Sequence, residues 1–371
     1  MGAAKDDRYG LPPVGSRQRV PAPELPYRPQ DPRSYRPKIG LIGCGGISVQ
    51  HLRAYQAAGY QVAALCSRTE SKAREQAARF YPEAAVETDF RKILAREDIE
   101  VVDIATHPEV RAGMLAEAID AGKHILSQKP FVTDLDFGER LADKAEKKGL
   151  RLAVNQNGRW APHWSWIRRA IEAGLLGQVS SARLAVNWDL SWVAGSAFEQ
   201  IRHLVLYDFA IHWFDISSCF LGGRRPLRVS ASEARAPGQT MKPPLLAQAL
   251  IEFADGQVSL AFDASTRFGG QDSTFVAGSL GTVFSSGPDL NEQELTLATS
   301  AGLASPALSG TWFPDGFHGT MGELLRAIEE KREPDNGARN NLKSLELCFA
   351  AIASAERQAP VVPGTVRRLP A

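Results

Sequence analysis

Ile39-Gly40-Leu41-Ile42-Gly43-Cys44-Gly45-Gly46-Ile47-Ser48 changes character twice within ten residues. Residues 38–42 have the apolar composition of a short buried strand. Gly43 and Gly45 then predict a tight turn, and beyond Ile47 the residues Val49, Leu52, Ala54 and Tyr55 take helical spacing. A bare-backbone turn between a strand and a helix start suits a pyrophosphate, whose charge rests at the positive end of the helix. Gly43, Gly45, Gly46 and Ile47 are the candidates to cradle it. The third glycine of the G-x-G-x-x-G pattern is missing, with Ser48 in its place, so these residues alone also fit a plain glycine turn. A second strand expected at 61–65 completes a strand–helix–strand unit and favours dinucleotide binding.

The alternation continues downstream. Expected helices at 70–80, 89–95, 109–121 and 134–148 alternate with expected strands at 85–87, 99–105, 124–126 and 151–154. Thr88 is the expected N-cap of the third helix, Pro108 opens the fourth, and Gly122 and Gly149 close the fourth and fifth. Short apolar strands separated by helices predict an α/β, doubly wound parallel sheet over residues 37–156. Ligands of such sheets sit at the carboxyl ends of the strands, which marks Ser67, Arg68, Thr106 and His107.

Beyond residue 156 the pattern changes. A helix at 162–173 precedes expected strands at 179–188, 227–234, 246–253, 257–264, 273–277 and 282–285, with Asp255-Gly256 as a hairpin turn. Helices are expected at 207–221, 317–331 and 341–359. This predicts a second, α+β domain over 157–371 built on an open-faced, mostly antiparallel sheet. Its uncovered face predicts a homodimer or homotetramer joined sheet to sheet. Residues 1–36, rich in proline and arginine, cannot bury enough surface to fold alone and read as an arm, either laid across a partner subunit or mobile.

Composition narrows the function. The chain has 371 residues and a net charge of +1, with no basic stripe to bind nucleic acid or an anionic membrane. No apolar run approaches a membrane span. The four cysteines are scattered without a Cys-x-x-Cys pair, which favours reduced thiols in a cytoplasmic protein.

The glycine turn, the run Val102-Asp103-Ile104-Ala105-Thr106, the Ala121-Gly122-Lys123-His124 step followed by Lys129-Pro130, and the Asp208–His212 spacing together resemble the glucose-fructose oxidoreductase, inositol dehydrogenase and MocA (Gfo/Idh/MocA) family. The resemblance covers about residue 37 onward. It implies an NAD(P)-binding domain, an open-faced sheet domain and oxidation or reduction of a sugar or polyol carbon. By the same resemblance Lys129 is a catalytic lysine, and an ammonium beside a reacting hydroxyl does favour an alkoxide-like transition state. Gln128 stands where the family usually has glutamate, which removes a negative charge beside Lys129; with Lys129 it is assigned to the cofactor side. Asp208 and His212, four residues apart, fall on one face of an expected helix. The spacing alone also fits a structural contact; the resemblance assigns His212 as acid/base, with Asp208 orienting it. His203, Asp208, His212 and Asp215 form a rival metal set, but no ligand motif supports it and no metal is assigned.

At the end of the second strand, Ser67 and Arg68 stand where NAD enzymes place an acidic residue on the ribose diol. A small hydroxyl and a guanidinium suit a 2′-phosphate better, so NADP is favoured over NAD. All seven tryptophans lie beyond the sixth strand. Flat aromatic faces pack well on the C–H faces of sugars, and Asn157, Arg159, Trp160 and His318 are the expected substrate contacts. The expected activity is hydride transfer at a secondary hydroxyl or carbonyl. Two other classes stay open: a glycosidase working by transient oxidation on tightly held NAD, and a non-catalytic sensor of dinucleotide or sugar.

Overall fold

The computed structural model describes residues 18–370. Six parallel strands form the first sheet: β1 (Lys38–Ile42), β2 (Gln61–Cys66), β3 (Ala85–Glu87), β4 (Ile99–Ile104), β5 (His124–Ser127) and β6 (Leu152–Val154). Their spatial order is β3-β2-β1-β4-β5-β6. Helices α1 (Ser48–Ala57), α2 (Glu70–Phe80), α3 (Phe90–Leu94), α4 (Pro108–Asp120) and α5 (Leu135–Lys147) connect them. Strands covered on both faces must be apolar throughout, and Ile39, Leu41, Val101, Val102 and Ile104 are fully buried. The order reverses between β1 and β4, and their carboxyl ends part to leave a crevice there. One expected cap is corrected: α3 starts a residue later, and Asp89, not Thr88, caps it by accepting the Arg91 N–H.

The second sheet holds β7 (Val179–Asn187), β8 (Arg228–Ala234), β9 (Leu246–Phe253), β10 (Gly256–Asp263), β11 (Gln271–Gly278), β12 (Gly281–Gly287), β13 (Glu294–Thr299) and β14 (Gly302–Ala304). The order is β14-β13-β12-β11-β7-β10-β9-β8, and only β7 and β10 pair in parallel. The last two strands escape the sequence: β14 is three residues long, and β13 buries only Leu295 and Leu297. In β10, Val258, Leu260 and Phe262 face inward while Ser259 and Ala261 lie on the outer face. Helices α6 (Pro162–Glu172), α7 (Ile211–Phe220) and α9 (Ala338–Arg357) cover the inner face, as the Trp164 Nε1 bond to Thr274 Oγ1 at 2.9 Å shows for α6 and β11. Helix α8 (Trp312–Glu329) turns back to pack on α1 of the first sheet, so its start lies between the two sheets.

The helix expected at 207–221 is two pieces. A π turn at Val205–Phe209, closed by the Ala210 N–H on the Val205 carbonyl at 2.8 Å, precedes α7. A π turn inserts one residue into the helical register, so Asp208 and His212 no longer stack as a plain i, i+4 pair.

The described part of the arm, residues 18–36, lies against its own chain. Val20 donates to the Leu303 carbonyl at 3.0 Å, and Arg28 pairs with Asp315 at 2.9 Å. Asp31 Oδ1 takes hydrogen bonds from Tyr60 at 2.5 Å and from His318 at 2.8 Å. The Glu329 carboxylate accepts the N–H groups of Arg33, Ser34 and Tyr35 at 2.7–2.9 Å. This half of the arm is a strap on α8; the expectation for residues 1–17 lies outside the described residues.

Candidate active site

The glycine turn closes β1. Gly43 takes φ +109°, and a Cβ there would stand 2.7 Å from the Ala105 carbonyl at the end of β4, so only glycine fits. Gly45 and Gly46 have open space before them, with no atom within 4 Å of an added Cβ. Ser48, the departure from the pattern, is wholly buried and ties the turn down. Its hydroxyl donates to the Gly45 carbonyl at 2.5 Å and meets Gln76 Oε1 at 2.9 Å, while Gln76 Nε2 reaches the carbonyls of Cys44 and Gly45 at 3.3 and 3.4 Å. Helix α1 has no acidic residue in its first turn and no side-chain cap, so its positive end is left for an anion. A pyrophosphate fits this cradle.

At the end of β2, Ser67 Oγ accepts the Thr69 N–H at 3.2 Å and Arg68 is exposed. The nearest carboxylate on the neighbouring strand, Glu87, pairs with Lys92 at 3.1 Å. Thr106 lies beside Gly43, and His107 is the exposed residue before α4. The Thr106 carbonyl is held by the guanidinium of Arg111, which also donates to the Pro130 carbonyl. Arg111 has no exposure, and burial pushes its guanidinium down to about 10. It ties the loop after β4 to the Lys129-Pro130 step after β5.

Lys129 donates through Nζ to Asp208 twice, to the carbonyl at 2.8 Å and to Oδ2 at 3.1 Å. The Phe209 ring lies 5.9 Å from the ammonium, and Trp188 packs on Phe209 at 6.0 Å between centroids. Asp208 therefore faces Lys129 and makes no hydrogen bond to His212, which corrects its expected orienting role. The π turn is the physical reason. His212 instead meets the Trp312 indole edge-on at 5.4 Å, and Trp312 packs with Trp164 and Trp213 in an aromatic box behind it. His212 Nδ1 is buried without a hydrogen-bond partner, which leaves Nε2 as the accessible nitrogen. Burial, reinforced by the Lys129 charge, holds this imidazole well below the ordinary histidine value, so the ring is neutral near pH 7. Phe313, exposed and stacked on Trp312 at 6.0 Å, forms the lip beside it.

The expected substrate contacts do not all meet here. The Arg159 guanidinium binds Asp215 through Nε and Nη2, at 2.6 and 2.7 Å, inside the core, and its Nη1 donates to the Asp335 carbonyl. Trp160 is buried against Gly319, which has no room for a Cβ, and under Arg168. His318 belongs to the arm clasp through Asp31. Asn157 is buried with an unpartnered Oδ1, and the preceding Gln156, just past β6, has both amide atoms buried and unpartnered. Gln128 points inward, its Oε1 accepting the Lys129 backbone N–H at 2.7 Å rather than facing the crevice. The rival metal set is dispersed: His203 pairs with Glu233 and Glu356, Asp215 with Arg159, and Asp208 with Lys129.

Sequence reasoning missed Arg111, Gln156 and the inward polar residues around Gln128. One signal was present: Asp103 interrupts the apolar run of β4, and a charge inside a covered strand must have a partner.

Residues 37–156 match an oxidoreductase family with an NAD-binding Rossmann fold, and residues 164–284 match the Gfo/Idh/MocA C-terminal domain. The chain is 26% identical to the D-apiose dehydrogenase of Paraburkholderia graminis over 351 residues, covering 88% of this chain and 93% of that one. It is 24% identical to the inositol 2-dehydrogenase of Rhizobium meliloti, covering 85% of this chain and 96% of that one. Among solved structures, an oxidoreductase from Agrobacterium radiobacter in complex with NAD+, L-tartaric acid and magnesium superposes with a TM-score of 0.79 at 20% identity, covering 89% of this chain and 99% of the other.

Proposed function

Because this chain belongs to the Gfo/Idh/MocA family of NAD(P)-dependent oxidoreductases, we propose that it transfers a hydride between a nicotinamide dinucleotide and a secondary hydroxyl or carbonyl carbon of a sugar, polyol or related cyclic compound. The observation that carries this reading is the meeting of a charged lysine, Lys129, with a desolvated neutral histidine, His212, past the carboxyl ends of the first sheet. The dinucleotide, when bound, supplies the hydride acceptor; Gly43, Gly45, Gly46 and Ile47 would hold its pyrophosphate.

In the oxidising direction His212 Nε2 takes the hydroxyl proton, which a neutral buried imidazole is free to do. Lys129 donates a hydrogen bond to the same oxygen and stabilises its developing charge as the carbon loses hydride. Asp208 holds the ammonium from the other side, so its direction is set before substrate arrives. The polar groups of Gln156 and Asn157 are the candidates to orient substrate or nicotinamide amide, and Phe209, Phe313 and Trp188 offer flat faces to the C–H side of a ring. NADP is preferred, since Ser67 offers no carboxylate and the one on the next strand is held by Lys92. The enzyme works in the cytoplasm as a homodimer or homotetramer through the outer face of the second sheet.

A panel of sugars and polyols, assayed with NAD+ and NADP+ by absorbance of the reduced nicotinamide, tests the reading. Stoichiometric release of reduced cofactor supports it; no turnover with any member of the panel contradicts it.

A further inference from the structure

Behind Lys129 runs a chain of buried polar side chains that the reaction above does not use. Asp103 Oδ2, in β4, accepts hydrogen bonds from Tyr55 at 2.6 Å and from His51 Nδ1 at 2.6 Å. All three residues have no exposure. His51 and Tyr55 stand one turn apart on α1, the helix that follows the glycine turn. On the other side of the ring, His51 Nε2 faces the amide nitrogens of Gln128 at 3.4 Å and Asn155 at 3.3 Å. Gln128 Oε1 accepts the Lys129 N–H at 2.7 Å and Asn155 Nδ2 at 3.2 Å. Thr320 fixes Asn155 by donating to its Oδ1 at 2.7 Å, and Phe317 packs edge-on to the imidazole with centroids 4.7 Å apart.

Every bond in this chain dictates the polarity of the next. A backbone N–H can only donate, so Gln128 must turn its oxygen to Lys129 and its nitrogen to His51. That nitrogen can only donate, so His51 Nε2 must accept and the ring proton must sit on Nδ1. There Asp103, an acceptor, takes it. In a dry interior a reversed member leaves two donors facing each other.

We propose that His51 and Asp103 are positioning residues for Lys129, acting through Gln128. The carboxylate fixes the imidazole tautomer, the tautomer fixes the face of the Gln128 amide, and the amide fixes the backbone from which Lys129 reaches Asp208. The inference rests on the role of Lys129 given above. It assigns Gln128 a task as well: with an amide at this position, Asp208 is the only carboxylate bonded to the Lys129 side chain among the described residues.

Tyr55 and His51 share one oxygen of Asp103, so an asparagine could still accept from both; Asp103→Leu keeps the bulk but removes the acceptor. Tyr55, 3.4 Å from His51 Nδ1, then donates to that nitrogen, and the ring proton is driven to Nε2, against the Gln128 amide. Adding Gln128→Glu supplies acceptors to both His51 Nε2–H and the Lys129 N–H, and returns the network to its original net charge. In nitrogen-15 histidine spectra the His51 proton should be on Nδ1 in the parent and on Nε2 in both variants. Hydrogen exchange of the Lys129 amide should speed by at least about tenfold in Asp103→Leu, the scale of one lost buried hydrogen bond. It should return to the parent value in the double variant, and kcat on any sugar or polyol found to turn over should follow the same order. The ring tautomer and the amide protection are read without turnover, so failure of the hydride-transfer reading leaves them standing. A double variant no better protected than Asp103→Leu, or unchanged protection in Asp103→Leu, overturns the proposal. If Asp103→Leu does not fold, the double variant decides: recovery of soluble protein with parent protection supports the polarity chain, and its absence overturns it.

Discussion

The ammonium of Lys129 reaches Asp208 twice, at the carbonyl and at the carboxylate, across 79 residues of chain. These two bonds link the loop after β5 to the π turn before α7, close enough for the cation to act on His212. Asp208→Ala should leave dinucleotide binding unchanged but remove the carboxylate, so that the ammonium is held by the backbone carbonyl alone and can swing away from substrate. A loss of kcat of roughly 10²-fold is expected, comparable to removal of an oxyanion donor. Steady-state kinetics with separate cofactor titration measures it; unchanged kcat would show that Lys129 needs no such holder.

The proposed preference for NADP rests on the end of β2. Ser67→Asp puts a carboxylate where Ser67 now stands, and should repel a 2′-phosphate while accepting a ribose diol. The ratio of NADP(H) to NAD(H) affinity, read by tryptophan fluorescence, should fall by about tenfold or more, since one close like-charge contact is worth on the order of 1 kcal/mol even in water. A ratio that does not move would place the adenosine ribose elsewhere.

Much of this was readable in advance. Strand, turn and helix around Gly43 and the six-strand alternation follow from apolar periodicity and glycine placement, which are local; the Lys129-Pro130 step is marked by the family resemblance. The rest depends on non-local partners. Nothing near Arg159 in the sequence reveals Asp215, 56 residues later, as its mate. The extra residue in the turn at Val205–Phe209 cannot be seen from composition, and it is what separates Asp208 from His212. Likewise His318 has the local context of a site residue, yet its partner is Asp31 on the strap.

Asp272 provides a stability test. It is fully buried on β11 with neither oxygen bonded, and burial, aided by the charge of Asp289, lifts it to about 8. Its neighbour His163, 3.9 Å away, is pushed down by burial to about 3, so it offers no charge. A carboxyl raised from 3.8 to about 8 loses stability as pH climbs through that window, because the unfolded chain ionises first. Asp272→Asn should therefore raise Tm by roughly 2–5 °C near pH 8 and have little effect at pH 4. Equal gains at both pH values would contradict the burial of a neutral acid.

The strap rests on Glu329. The amide and hydroxyl of Ser34, with the amides of Arg33 and Tyr35, hold this carboxylate down to about 2. Glu329→Ala should expose residues 18–36 to limited proteolysis and lower Tm by roughly 2–4 °C. Protease resistance equal to the parent would mean that the other contacts suffice.

His212 is the proposed proton acceptor for hydride transfer. Its most direct test is turnover of His212→Ala on a sugar or polyol that the parent enzyme oxidises, deuterated at the carbinol carbon, with cofactor affinity measured alongside. The parent should pass the deuterium to the nicotinamide. His212→Ala should bind cofactor normally and lose kcat by about 10²–10⁴-fold, the range for a general base. Near-parent turnover in His212→Ala, or reduced cofactor without deuterium, would contradict it.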